Sequence, residues 1–267
     1  MSDSSAITAA DVALVLDGIR RSVTRLGATL EGLSDLLARE PSALPGWSRG
    51  HVVTHLARSA DAYRWLLSLA RTGTEPGPRA DAATLDRALR EGAARGAAEL
   101  VADLRESLDR LLDEAAVMPA EGWTRLVTAL AGWHHPAWFT LYRCRRELET
   151  HHVDLDLGYL PADWPADYVT WALEETLSAL TARHFPVARV VAEDLGRSWT
   201  LSATGLTVTG AAHALLAWLA GRDTDHGLRS DHGLGSDHRL RSDHRLRSDV
   251  SLPTPPRWPL PPAPGWT

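Results

Sequence analysis

The chain has 267 residues, of which 44% are hydrophobic and 23% charged, with a formal net charge of −6. That length bounds one large or two modest domains with real cores, the composition is that of a globular protein, and the acidic balance excludes a broad nucleic-acid footprint. No apolar run reaches the length of a membrane span, Met1-Ser2-Asp3-Ser4-Ser5 lacks the basic region and apolar core of a signal peptide, and a single cysteine, Cys144, cannot pair internally, so a reducing cytoplasm is the expected location.

All 28 basic residues are Arg, and Lys, Asn and Gln are absent. This pattern is codon bias from a GC-rich genome, and it removes any lysine Schiff base or lysine base from the chemistry.

Residues 8–39 carry Val12, Val15, Leu16, Ile19, Val23, Leu26, Leu30, Leu33, Leu36 and Leu37 at helical spacing. Leu44-Pro45-Gly46 reads as a turn, and Ser48 as the cap of a second helix running to about Leu69. A Gly/Pro-rich loop, 72–81, leads to one long third helix over 83–116. Residues 118–135 connect it to a fourth helix, with Pro136 in its first turn, ending near Leu157. Four such helices form a bundle, and bundle cores are common places for metal sites. The pattern then changes. A helix over 164–182, short strands over 188–193, 198–203 and 206–209, and a helix over 211–220 read as a smaller α+β domain. The expected organisation is a bundle domain, 1–160, and an α+β domain, 161–267.

Residues 225–248 are four copies of Asp-His-x-Leu-x-Ser, starting at Asp225, Asp231, Asp237 and Asp243. One Leu in six residues cannot build a core, so a solvated, disordered loop is expected, a tandem duplication without a function. In the proline-rich tail, Trp258 and Trp266 are expected to pin the chain to a domain surface.

Glu147 and His151 lie four apart on the fourth helix, so both face one side and can hold one metal ion. His55, among Val52, Val53 and Leu56 on the second helix, can supply a third ligand. Three protein ligands with an open position is the pattern of a catalytic zinc site. Rival sets exist in the chain: His51 with His55, His152 about 100° around the helix from His151, Glu149, and His134 with His135 before the fourth helix. Asp154 could orient His151, and Asp61 could orient His55.

The stretch Leu44-Pro45-Gly46-Trp47-Ser48-Arg49-Gly50-His51-Val52-Val53-Thr54-His55-Leu56-Ala57-Arg58 resembles the first signature of mycothiol-dependent maleylpyruvate isomerase-type proteins. Arg146-Glu147-Leu148-Glu149-Thr150-His151-His152-Val153-Asp154-Leu155 is similar to their second. Gly196-Arg197-Ser198-Trp199, Val208-Thr209-Gly210, Leu215 to Arg222 and Leu252-Pro253 with Pro255-Pro256-Arg257-Trp258 resemble their C-terminal domain. The resemblance implies a DinB-like four-helix bundle with a smaller α+β domain, and a divalent metal, usually zinc, on His55, Glu147 and His151. It also implies Arg87, entering the third helix, as a partner of a substrate carboxylate, and Arg222, after the last helix, could hold one as well. Arg222 reads equally as a cation at a helix C-terminus.

The implied thiol is mycothiol, the small thiol of actinobacteria, in keeping with the GC-rich coding. The metal would hold its sulfur as thiolate. Cys144 reads as a structural buried cysteine. The implied reaction is cis–trans isomerisation of a small electrophile by addition, rotation and elimination of the thiolate. The alternatives are S-transfer to another electrophile and a non-catalytic metal-binding module.

Overall fold

A computed structural model describes residues 7–222, 227–232 and 252–255. The chain divides into two compact units, the first ending at Tyr159 and the second beginning at Leu160. The fold is α+β. Among the described residues no helix is long and apolar enough to cross a membrane.

The first unit is a bundle of four main helices, α1 (Ala9–Leu30), α3 (Arg49–Thr72), α5 (Ala97–Ala116) and α6 (Ala137–Asp154), with α2 (Asp35–Arg39) and α4 (Ala82–Ala93) as short additions. Helix α1 packs on α5 and α6, and α3 packs on the same two, so the four close around one core. Ile19, Leu56, Leu100, Leu111 and Leu141 are fully buried in it. Such side chains recur every three or four positions on each helix, which is why the bundle closes.

Two helices expected to be continuous are broken. The first stops at Leu30, and Ser34 caps α2 by accepting from the Leu37 N–H. The third breaks at 94–96 into α4 and α5, because Gly96 is extended and Asp35 of α2 accepts from the Ala97 N–H at 2.7 Å. A carboxylate from another helix thus satisfies the new N-terminus. The connection to α6 also has structure. A turn of 3-10 helix precedes a hairpin of β1 (Leu126–Thr128) and β2 (His134–Pro136), closed with Gly132 at φ +89°.

The second unit contains α7 (Ala166–Thr181), which packs on α8 (Ala212–Leu219), and a sheet of order β4-β3-β5-β6. Strands β3 (Val187–Ala192) and β4 (Arg197–Thr200) form an antiparallel pair, while β3 and β5 (Leu206–Gly210) run parallel. The fourth strand, β6 (Arg229–His232), pairs antiparallel with β5, from Thr209 opposite Arg229 to Leu206 opposite His232. This corrects the reading of the whole hexapeptide repeat as a disordered loop. A repeat too polar to build a core still offers backbone donors and acceptors, and the open edge of β5 takes them. Of the repeat, the end of the copy starting at Asp225 and the first two residues of the copy starting at Asp231 are described, while the copies starting at Asp237 and Asp243, and Trp258 and Trp266, lie outside the described residues.

Candidate metal centre

Helices α3 and α6 carry the site, and the sequence at both ends fixes their registration. Ser48 caps α3, accepting from the His51 N–H, while the Ser48 N–H donates to His51 Nδ1 at 3.2 Å. His51 is therefore part of the cap. Its neighbour Arg49, 8% exposed, donates from Nε to the Leu155 carbonyl at 2.8 Å and from Nη2 to the Asp156 carbonyl at 3.1 Å. It also pairs with Glu40 at 2.8 Å. Arg49 thus joins the start of α3 to the end of α6. Gly50 allows close approach there, since a Cβ would stand 2.8 Å from the Ala93 carbonyl oxygen and 3.2 Å from that of Ala38.

One turn further along α3, His55 reaches α6. Its Nε2 is 3.0 Å from Glu147 Oε2, and His151 Nε2 is 3.1 Å from the same oxygen. One ligand atom from each of His55, Glu147 and His151 lies within 4.8 Å of the other two. The remaining atoms are engaged in ways that point these donors inward. His151 Nδ1 is 2.8 Å from Asp154 Oδ2, which makes Nδ1 the protonated nitrogen and leaves Nε2 for a ligand role. Tyr63 donates its hydroxyl to Glu147 Oε1 at 3.2 Å. The rings of Trp47 and His55 lie 5.4 Å apart, and those of His55 and His151 4.6 Å apart.

Burial pulls the His151 pKa down, but its hydrogen bonds to Asp154 and Glu147, with their charges, outweigh this and lift it to about 9. Burial also opposes ionisation of Glu147, and the bonds to His151 and His55 overcome it and hold its carboxyl well below the usual range. A protonated His151 imidazole is thus shared between the carboxylates of Asp154 and Glu147 that flank it. The two nitrogens and one carboxylate oxygen fit a divalent zinc-type ion, with each donor's other side already bonded or packed.

The other sequence candidates fall elsewhere. Glu149 is 1% exposed and faces α1, where Ser22, Arg25 and the Tyr159 hydroxyl bind its carboxylate. His152 stacks on Tyr159 at 3.8 Å and bonds Thr29. His134 is exposed on β2, and His135 is buried beneath it with its Nδ1 2.9 Å from the Pro136 carbonyl. Asp61 pairs with Arg110 at 3.0 Å and Arg58 at 3.2 Å rather than with His55. Cys144 is buried, and burial, with the Glu147 charge, pushes its thiol pKa up.

A cavity of about 410 Å³ opens beside His55 and Glu147, lined also by residues including Trp47, Arg58, Tyr63, Leu85, Leu89, Leu130 and Arg143. Arg87 is exposed on α4 and is not among its lining residues. Arg222 follows α8, and its Nη1 donates to the Ala220 carbonyl at 2.6 Å. Sequence reasoning passed over Arg49, Trp47, Tyr63 and Arg143. Of these, Trp47 and Arg49 stand inside the first signature, and Arg143 lies four residues before the candidate ligand Glu147.

Two solved structures match, those of the mycothiol-dependent maleylpyruvate isomerase and of a histidine-to-alanine mutant of it. Each has a TM-score of 0.78 and 23% identity, covering 92% of this chain and 97% of the other. The likeness establishes a shared fold across both units. No curated protein matches the sequence. Residues 19–156 match the family model described as the mycothiol maleylpyruvate isomerase N-terminal domain, and the chain belongs to that family.

Proposed function

We propose that this protein is a metal-dependent enzyme that uses mycothiol as thiol cosubstrate and carries out a maleylpyruvate isomerase-like cis–trans isomerisation. The observation that carries this reading is the convergence of His55, Glu147 and His151, two of which, His55 and Glu147, line a cavity, in a chain of this family. His55, Glu147 and His151 would hold a divalent ion, zinc by the chemistry of the donors, which would supply a Lewis acid able to keep a thiol ionised at neutral pH.

The chain's own residues prepare the site. Asp154 fixes the His151 tautomer, Tyr63 holds one oxygen of Glu147, and Trp47 packs against the His55 ring. Leu85, Leu89 and Leu130 give the cavity apolar walls. Buried Cys144, its thiol pKa raised, cannot serve as the nucleophile, so the thiol enters from solution. The cavity has the size of a small-molecule site. Arg222 is proposed as a further cation for a substrate carboxylate.

One observation favours a second reading, S-transfer to a different electrophile. Arg87, which the family resemblance offers as a carboxylate partner, is exposed and outside the cavity lining.

The test replaces the metal with cobalt and adds mycothiol. A sulfur ligand gives an intense charge-transfer band that water does not, and His151→Ala should abolish it. A spectrum unchanged by the thiol while cobalt stays bound would reject thiolate activation and favour a non-catalytic metal module. A band without turnover of maleylpyruvate would favour transfer over isomerisation.

A further inference from the structure

Arg143 stands one helical turn before Glu147 on α6 and lines the same cavity. Its setting is unlike that of the other cavity arginine. Arg58 is neutralised by Asp103 at 2.7 Å and Asp61 at 3.2 Å. Arg143 forms an ion pair with no carboxylate among the described residues. Its Nη1 donates to His135 Nε2 at 3.1 Å, and its guanidinium lies 4.9 Å from the Tyr63 ring centroid and 4.8 Å from that of Trp133.

Each of these contacts orients the guanidinium without cancelling its charge. The His135 Nδ1–H is donated to the Pro136 carbonyl, so Nε2 carries the lone pair that accepts from Arg143. The Tyr63 and Trp133 rings both lie within cation–π reach of the guanidinium. His135 takes one of five N–H donors, which leaves the fork geometry that suits a carboxylate. The carboxylates that line the cavity are committed elsewhere. Glu147 binds His55, His151 and Tyr63, and Asp86 pairs with Arg90 at 2.5 Å. A half-buried cation in a cavity with apolar walls is costly unless an anion joins it.

We propose that Arg143 binds a carboxylate of the electrophile and holds it beside the His55–Glu147–His151 group. This rests on the enzymatic reading above and names the residue that would select an acidic electrophile in either the isomerase or the transferase form.

The test uses maleate as the probe, with metal-loaded protein and no thiol, and follows binding by calorimetry. Dimethyl maleate, with the same skeleton and no charge, is the control. Maleate should bind saturably, and Arg143→Gln should weaken it by about tenfold or more, the loss expected of a charge-assisted bond pair. Arg143→Lys, which keeps the charge and loses the fork, should fall between. Metal content and circular dichroism should match the wild type in both variants, and the diester should be indifferent to the substitution. Equal maleate affinity in wild type and Arg143→Gln, as expected if the metal alone bound the carboxylate, would overturn the proposal. So would the absence of saturable binding. The cobalt–thiol band needs no carboxylate, so a band with Arg143-independent maleate binding fails this inference alone. An absent band with Arg143-dependent binding fails only the thiolate reading.

Discussion

At the scale of residues, the choice between His51 and His55 rests on what each ring does. His51 closes the helix cap at Ser48, and His55 faces Glu147. Elemental analysis should therefore find the metal retained in His51→Ala and lost in His55→Ala and Glu147→Ala. Metal loss in His51→Ala alone would reverse the assignment. Asp154→Asn keeps the shape of the side chain while removing the anion that orients His151. Metal affinity should fall about 10–100-fold, as measured by competition with a chelator.

His135 provides a pH test away from the metal ligands. Burial depresses its pKa from 6.5 to about 4, against the opposing effect of its bond to the Pro136 carbonyl and with smaller contributions in the same direction from the charges of Arg143 and His134. As pH falls below 6.5 the unfolded chain takes up a proton that the folded protein refuses until about 4. Stability is therefore lost through that window and no further below it. Urea unfolding midpoints of the metal-free protein at a series of pH values should fall less steeply in His135→Gln. Parallel profiles would mean that His135 is protonated in the fold. The triad itself was readable in the chain because two of its members are four residues apart on one helix. Arg143 was not. Its role depends on His135 and Trp133, which reach it only through a hairpin that the local sequence does not announce.

Helices with a strong apolar stripe and a recognisable cap were legible as elements. Ser48 starts α3 where a capping serine should, and the α6 boundary at Pro136 follows from proline geometry. The breaks were hidden because their causes are tertiary. Gly96 follows Arg95 in a stretch of good helix formers, and only the carboxylate of Asp35, distant in sequence, favours a new N-terminus there. The three-residue strands β1 and β2 are too short for an alternating pattern to register. The clasp between α3 and α6 is tertiary as well, and it has a measurable cost. Arg49→Met would strand the Leu155 and Asp156 carbonyls and unpair Glu40. We expect a loss of about 2–4 kcal/mol in urea unfolding, with metal affinity falling too, because the two helices that share the ligands lose their common end. An unchanged metal affinity at lowered stability would confine Arg49 to the fold.

For the whole molecule, the division into two units separates what the candidate metal site needs from what the sheet needs. His55, Glu147 and His151, with Asp154, Tyr63 and Trp47, all belong to the first unit. The second unit depends on its own sheet, in which β5 lies between β3 and β6. That last pairing comes from a repeat whose composition argues against any fold, so it was invisible to a reading that weighs apolar content alone. Leu228 lies over Gly210 as the repeat enters the sheet, and Arg229 pairs with Glu193. Replacing residues 229–232 with Pro-Gly-Pro-Gly, which removes backbone donors, should leave the β5 edge largely unpaired and cost the second unit about 2 kcal/mol of stability. Metal content should stay at the wild-type level, since no ligand or ligand partner is touched. Hydrogen exchange would read the difference directly, as faster exchange of the β5 amides that face β6 with α3 and α6 unaltered. If β5 exchange and the melting temperature both stay unchanged, β6 adds nothing to the sheet. A change in metal content would mean that the two units are coupled and that the site draws on more of the chain than the first unit.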